Sequence, residues 1–300
     1  MNVVRKILLL VLSILLFSEP SFATNLNISD ESIKPIELTQ QKSQARIIAL
    51  ANGSAEVVAA LGFRDSLVGR DIESTTPELK AIPIVTSGHQ VIAEKIISLK
   101  PTLVLIDAGV GPASAIKSIK KAKIKIVIIT QAWNLNDMYL KVKQIGLAIG
   151  ESHATEILNA KIKESILHAQ RNLDWKPKIA FLYLRGTSSI YLMGGKGSGA
   201  DSLIKELGGI DVGASTLRNP FNPLTSEALI KSNPDVILLM TNGLKSVGGE
   251  EGLLKLPGVK LTNAGKSRRF LSVDDSLLLS FGPRTPSLLV KMSDALRQLK

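Results

Sequence analysis

The sequence predicts an α/β fold in which two Rossmann-like lobes are joined by one long helix. Three observations predict it. Short apolar runs alternate with helical patterns along the chain. One central stretch holds neither glycine nor proline. Two motifs recur, in the same order, in the two halves.

The apolar runs are residues 46–51, 103–106, 126–129, 179–182 and 236–239. Unbroken runs of this length between helical segments suit strands buried on both faces of parallel sheets. In the glycine- and proline-free stretch from 151 to 173, Ile157, Leu158, Ile162, Ile166 and Leu167 recur at helical spacing. A single amphipathic helix is expected there, ended by Trp175-Lys-Pro177. The first echo pairs Glu94-Lys-Ile-Ile-Ser-Leu-Lys-Pro101 with Glu227-Ala-Leu-Ile-Lys-Ser-Asn-Pro234; each proline leads into a strand. The second pairs Val57-Val58-x-x-Leu61-Gly62-x-x-Asp65 with Leu203-Ile204-x-x-Leu207-Gly208-x-x-Asp211. Either echo alone is ordinary helix-turn-strand punctuation, whereas two in one order point to a duplicated body. The expected units are an N-terminal lobe over 46–150, a connecting helix over 151–174 and a C-terminal lobe over 175–300.

Ahead of them, Arg5 and Lys6 precede an apolar run from Ile7 through Phe17, then Pro20 and Ser21-Phe22-Ala23. That order is a secretory signal peptide over 1–23, with cleavage expected after Ala23. The apolar part is short for a membrane span. Residues 24–45 are polar and weakly patterned and read as a flexible leader. Export to the periplasm or the outer face of the cytoplasmic membrane follows. Membrane association then comes only through a partner or an uncleaved signal.

The chain has no cysteine. Disulfides, thiolate catalysis, cysteine-ligated zinc and a lipidated cysteine are therefore excluded, and an apolar core must hold the fold. The formal net charge is +11. Its lysines (Lys117, Lys120, Lys121, Lys123, Lys125) lack interleaved aromatics, so they read as a solvated face, and no nucleic-acid partner is expected. Neither Gly-x-Ser-x-Gly nor His-x-x-x-His occurs, and no enzymatic constellation stands out. Gly194-Gly-Lys-Gly-Ser-Gly199 departs from phosphate-loop spacing and reads as a glycine turn entering a helix at Ala200.

The recurrent Glu-x-Ile/Leu-Ile-x-x-x-Pro-x-Leu/Val motif resembles that of the class III periplasmic binding proteins of ABC importers. This class binds cobalamin, ferric siderophores and haem, and the resemblance runs from about Arg46 to the end of the chain. Within the class, several stretches resemble the HmuT-type haem-binding proteins of actinobacteria. They are Val68-Gly-Arg-Asp71, Ser87-Gly-His89, Phe181-Leu-Tyr-Leu-Arg-Gly186, Gly197-Ser-Gly-Ala-Asp-Ser-Leu203, Gly208-Gly-Ile-Asp-Val212, Met240-Thr-Asn-Gly-Leu244 and Asp274-Asp-Ser-Leu-Leu-Leu-Ser-Phe-Gly-Pro-Arg284. The resemblance implies a solute-binding protein, not an enzyme, that captures haem and delivers it to a dimeric ABC permease. A ferric siderophore or cobalamin is the alternative cargo, and an exported α/β hydrolase is the rival from another class.

Three histidines are present. His153 and His168 fall in the long-helix region and read as solvated. His89 follows Ser87-Gly88 in a loop, which by itself reads as an unliganded loop histidine; the resemblance reverses this and implies that it is an axial iron ligand. Tyr183 and Arg185 lie two apart near the end of a strand, so they share a face. A guanidinium beside a phenol favours the phenolate that ligates ferric iron. Core packing of Tyr183 explains the position as well, and the resemblance implies Tyr183 as second ligand with Arg185 as its hydrogen-bond partner. Met240 is expected to wall the same cleft, and Tyr191 either stacks on the ligand or packs in the core. Thr76, in Ser74-Thr-Thr-Pro77, stands where Gram-negative relatives carry a ligand tyrosine, which excludes that mode. Asp274-Asp275 reads as a structural or hydrogen-bonding pair. Glu94 and Glu227 are implied to meet the permease, one per lobe, though helix-terminus stabilisation accounts for each singly.

Overall fold

The computed structural model describes residues 25–28, 35, 45–87, 90–169 and 173–300. The signal segment over 1–23 and His89 lie outside the described residues.

The N-terminal sheet contains β2 (Ile47–Ala49), β3 (Leu67–Arg70), β6 (Leu103–Ile106) and β7 (Lys125–Ile128), all parallel in the order β3-β2-β6-β7. A two-stranded antiparallel ribbon, β4 (Thr86–Ser87) with β5 (Gln90–Val91), stands beside it. Helices α1 (Ser54–Val58), α2 (Ala93–Ser98), α3 (Ala113–Lys121), α4 (Leu135–Ile149) and α5 (Ser152–Ala169) accompany it. The C-terminal sheet is built on β8 (Lys178–Arg185), β12 (Val236–Met240) and β13 (Phe270–Val273), mutually parallel. The short strands β9 (Ile190–Gly194), β10 (Ile210–Asp211) and β11 (Phe221–Pro223) extend it. Its helices are α6 (Ala200–Glu206), α7 (Ser226–Ser232), α8 (Thr241–Ser246), α9 (Gly249–Leu253), α10 (Asn263–Lys266), α11 (Asp275–Ser280) and α12 (Thr285–Gln298).

Strand alternation explains how the two sheets share one core. Ile47, Ala49, Leu103 and Leu105 point to one side of the first sheet; Ile179, Phe181, Val236, Leu238 and Leu271 point to one side of the second. All nine belong to a single apolar cluster with Leu158, Ile162 and Ile166 of α5. The opposite faces feed separate clusters, with Ile48, Val104 and Ile106 in one and Ala180, Leu182 and Ile237 in the other.

Both sequence echoes are visible in the backbone. The glycines within the second motif, Gly62 and Gly208, are left-handed at φ 86° and 76°, a conformation that terminates helices without the penalty a Cβ would carry. In the first motif the residue before each proline is also left-handed, Lys100 at φ 48° and Asn233 at φ 39°. A residue preceding proline is driven out of the right-handed region, so the helix stops there and the strand begins.

Two expectations are corrected. The leader over 24–45 is not uniformly unpatterned, because Asn25–Ile28 forms strand β1, parallel to β13 at the edge of the C-terminal sheet. The cause is the polar-apolar alternation Asn25-Leu26-Asn27-Ile28, which buries Ile28 in the shared core. The Asn27 carboxamide oxygen accepts from the hydroxyls of Thr241 and Ser272 at 3.0 and 3.2 Å. The connecting helix expected over 151–174 is α5, described from Ser152 to Ala169, and Leu173 is non-helical. Leu167, counted on its apolar face, is 63% exposed.

Two buried polar contacts and one at the surface pin the lobes together. The Arg284 guanidinium, ahead of α12, donates to both carboxylate oxygens of Glu56 on α1, at 3.0 and 2.5 Å, with both side chains at most 2% exposed. Lys141 of α4 is fully buried and donates from Nζ to the carbonyls of Asn52 and Ser280. Burial pushes its ammonium down to about 8. The Asn52 amide donates to the Leu279 carbonyl at 3.2 Å.

Candidate functional site

These contacts also locate the seam where a ligand can be reached. Asn52 follows β2, and Leu279 and Ser280 end α11, the helix entered directly from β13. A Cβ built at Gly199, ahead of α6, would lie 3.4 Å from the ring of Trp133, which follows β7. The carboxyl ends of strands from both sheets therefore converge on one seam, which is where open α/β sheets present ligand sites.

Tyr183 and Arg185 occupy the last turn of the β8 ladder on the shared-core face, as their spacing predicts. Tyr183 is half-buried, with its ring edge-on to Phe221 at 5.6 Å between centroids. The Arg185 guanidinium carbon stands 4.5 Å above the centroid of the Tyr183 ring. It therefore addresses the ring face as a cation–π partner, and this corrects the expected role as a hydrogen-bond donor to the hydroxyl. A guanidinium stacks flat on a ring, and Arg185 is drawn into that position by partners elsewhere. It donates to the Leu184 carbonyl at 3.0 Å and faces the Asp275 carboxylate at 3.4 Å. Asp275, at the start of α11, also accepts from the Asn242 backbone amide at 2.9 Å. Burial pushes its carboxyl above the ordinary range, opposed by that amide and by Arg185. Beyond Arg185 the chain turns at Gly186, where a Cβ would sit 2.2 Å from the Ser246 carbonyl oxygen. Only glycine lets the end of β8 lie this close to α8.

The remaining expected residues fall into three groups. Glu94 and Glu227 are both exposed, each in the first turn of its helix, α2 and α7. Met240, expected to wall the cleft, is 2% exposed within the shared core. It pairs with Val273 at the end of β12, and its side chain packs into the apolar cluster between the two sheets. Tyr191 packs against the outer core of the C-terminal sheet. His153 and His168 are exposed, and Thr76 is fully buried. Among the described residues no group of three or more histidine, aspartate or glutamate side chains could hold a metal ion.

Two features escaped the sequence reading. One is the Asp275–Arg185 pair. The other is an open groove of 410 Å³ where β6 and β7 end, lined by Ile106, Val110, Ile116, Ile128, Lys117 and Lys120. Ile128 is 65% exposed there, an apolar surface beside two ammonium groups. The loop flooring the groove is tied to the ribbon by the Val91 amide, which donates to the Gly111 carbonyl at 2.7 Å.

Residues 47–277 match the family model described as periplasmic binding protein. A curated relative, the uncharacterized ABC transporter substrate-binding lipoprotein YvrC of Bacillus subtilis, is 30% identical over 83% of this chain and 78% of its own length. A vitamin B12-binding protein of Vibrio vulnificus is 25% identical over 80% and 85%. Among solved structures, the periplasmic heme-binding protein RhuT of Roseiflexus sp. RS-1 in apo form is 34% identical. It has a TM-score of 0.81 over 86% of this chain and 99% of that one. The heme-binding protein HmuT is 31% identical, with a TM-score of 0.79 over 91% and 98%.

Proposed function

The chain belongs to the periplasmic binding protein family, with the class III fold, and from that premise we propose that it captures haem outside the cytoplasm and hands it to an ABC permease. One observation carries the choice of cargo. A half-buried tyrosine stands at the carboxyl end of a strand at the lobe seam, with a guanidinium fixed over its ring. Ferric iron takes a phenolate as axial ligand, and the guanidinium places a positive charge beside this phenol. A hexadentate siderophore already saturates its iron, so a protein phenol offers it nothing comparable.

In this reading Tyr183 and His89 are the axial ligands on the two lobes. Arg185 sets the electrostatics of the phenol, and Met240 backs the site from within the core. Glu94 and Glu227, exposed at equivalent places in the two lobes, would meet basic residues of a dimeric permease; such rim charges act mainly on orientation and association rate.

The test is a hemin titration of the purified protein followed by absorbance, with cobalamin and a ferric siderophore as competitors. Axial ligation shifts the Soret band, and His89→Ala and Tyr183→Ala should each move it and weaken retention. No spectral change on adding hemin, or saturation by cobalamin at lower concentration, would refute the reading.

A further inference from the structure

We infer that Asp275 is a positioning residue for the site, holding Arg185 over the Tyr183 ring and thereby strengthening ligation by that tyrosine. This rests on the reading of Tyr183 as an iron ligand. Arg185 is flexible enough to reach solvent from the end of β8, and its guanidinium is still one-third exposed. What keeps it over the ring is a carboxylate 3.4 Å away whose own side chain is only 10% exposed. That carboxylate is itself fixed from two sides. It opens α11 directly after the Asp274 cap, whose carboxylate accepts from the Ser276 and Leu277 amides. It also accepts from the Asn242 amide at the start of α8. Three strand ends, those of β8, β12 and β13, therefore meet in one chain of contacts that terminates on the phenol. The guanidinium also donates to the Leu184 carbonyl, but that bond lies within its own strand and does not choose between the ring face and solvent.

Two physical consequences of the carboxylate oppose one another. It orients Arg185 over the ring of the ligand tyrosine, and it cancels part of the arginine's charge. Orientation prevails in this geometry. A guanidinium released to water leaves the ring face uncovered, whereas the buried carboxylate keeps it 4.5 Å from the ring centroid.

The experiment is a double-mutant cycle on ferric haem retention and Soret position, using the full chain with hemin as probe. Asp275→Ala should weaken retention about tenfold, equivalent to roughly 1.4 kcal/mol, and should shift the Soret band in the same sense as Arg185→Ala. In an Arg185→Ala background the further loss should vanish. Asp275→Asn keeps an acceptor for the Asn242 amide but drops the charge, and should match the alanine variant. Thermal unfolding confirms that each variant is folded. Full rescue by asparagine, additive losses, or tighter haem binding in Asp275→Ala would overturn the inference. A wild-type chain that gives no Soret shift refutes the haem reading itself. A wild-type shift that depends on Tyr183 but not on Asp275 refutes only this one.

Discussion

Breaking the ion pair between Glu56 and Arg284 should cost the protein more than any single surface change. The pair links α1 to the segment before α12, 228 residues apart, and its two side chains are 1% and 2% exposed. Replacing Arg284 by methionine leaves a carboxylate buried with its principal partner gone, and removing one member of such a pair typically costs about 3–5 kcal/mol. Lys141 lies close enough to feel Glu56 and offsets a part of this, so the lower end of the range, near 3 kcal/mol, is expected. Replacing both residues by methionine removes the uncompensated charge and should recover most of the loss. Equilibrium unfolding in guanidinium chloride measures both, with Trp133, at the seam, as the fluorescence reporter. Circular dichroism tests whether the whole fold melts with it. A single replacement costing under 1 kcal/mol, or a double replacement as costly as the single one, would refute the reasoning.

Two further predictions concern pH and one concerns the partner. Lys141 has its folded value near 8 against 10.5 in the unfolded chain. The folded state thus binds fewer protons between those values, and stability should rise as pH increases from 8 towards 10.5, by on the order of 3 kcal/mol. Denaturation of wild type against Lys141→Met at pH 8 and pH 10 reads this, and parallel changes in the two would contradict it. Asp71 and Asp211 are both pushed by burial to about 6, above the ordinary 3.8. Here the folded state binds more protons, so acidification from pH 6 towards 4 should stabilise the protein through these two groups. An Asp71→Asn/Asp211→Asn variant should show a smaller gain, and an unchanged profile would sink the assignment. Glu94→Arg and Glu227→Arg should leave stability and ligand spectra within experimental error while impairing uptake, with the double variant worst. Normal uptake by that double variant would make both glutamates helix-terminus residues only.

The fold was legible where a local pattern carries global information. The apolar runs at 103–106 and 236–239 are buried strands because nothing polar interrupts them. Gly62 and Gly208 end helices because no other residue fits the backbone there as cheaply. Strand β1 was missed although Asn25-Leu26-Asn27-Ile28 alternates, because four residues beside an apolar signal are too few to set a period. The shared face of Tyr183 and Arg185 followed from their spacing alone, but the partner that steers Arg185 did not. Asp275 lies ninety residues downstream, and an ion pair between strand ends leaves no trace in either local pattern. Met240 shows the same limit from the other side. A strand's last residue can face a cleft or a core, and only the packing of the second sheet against it shows which.

The pairing of β1 with β13 also constrains the order in which the molecule is made. Asn27 and Ser272, in direct contact, are 245 residues apart, so a chain threaded across a membrane amino end first delivers β1 long before its partner. The N-terminal sheet, whose strands all fall within residues 47–128, can assemble early, whereas the edge of the C-terminal sheet stays open until Phe270–Val273 has emerged. Contacts of such separation close slowly because the intervening chain must first be ordered. During that interval Asn25–Ile28 is an unpaired strand, the kind of segment that holdase chaperones shield and that misassociates at high expression. Secretory yield should therefore respond to substitutions at Leu26 and Ile28 more strongly than the equilibrium stability of the finished protein does.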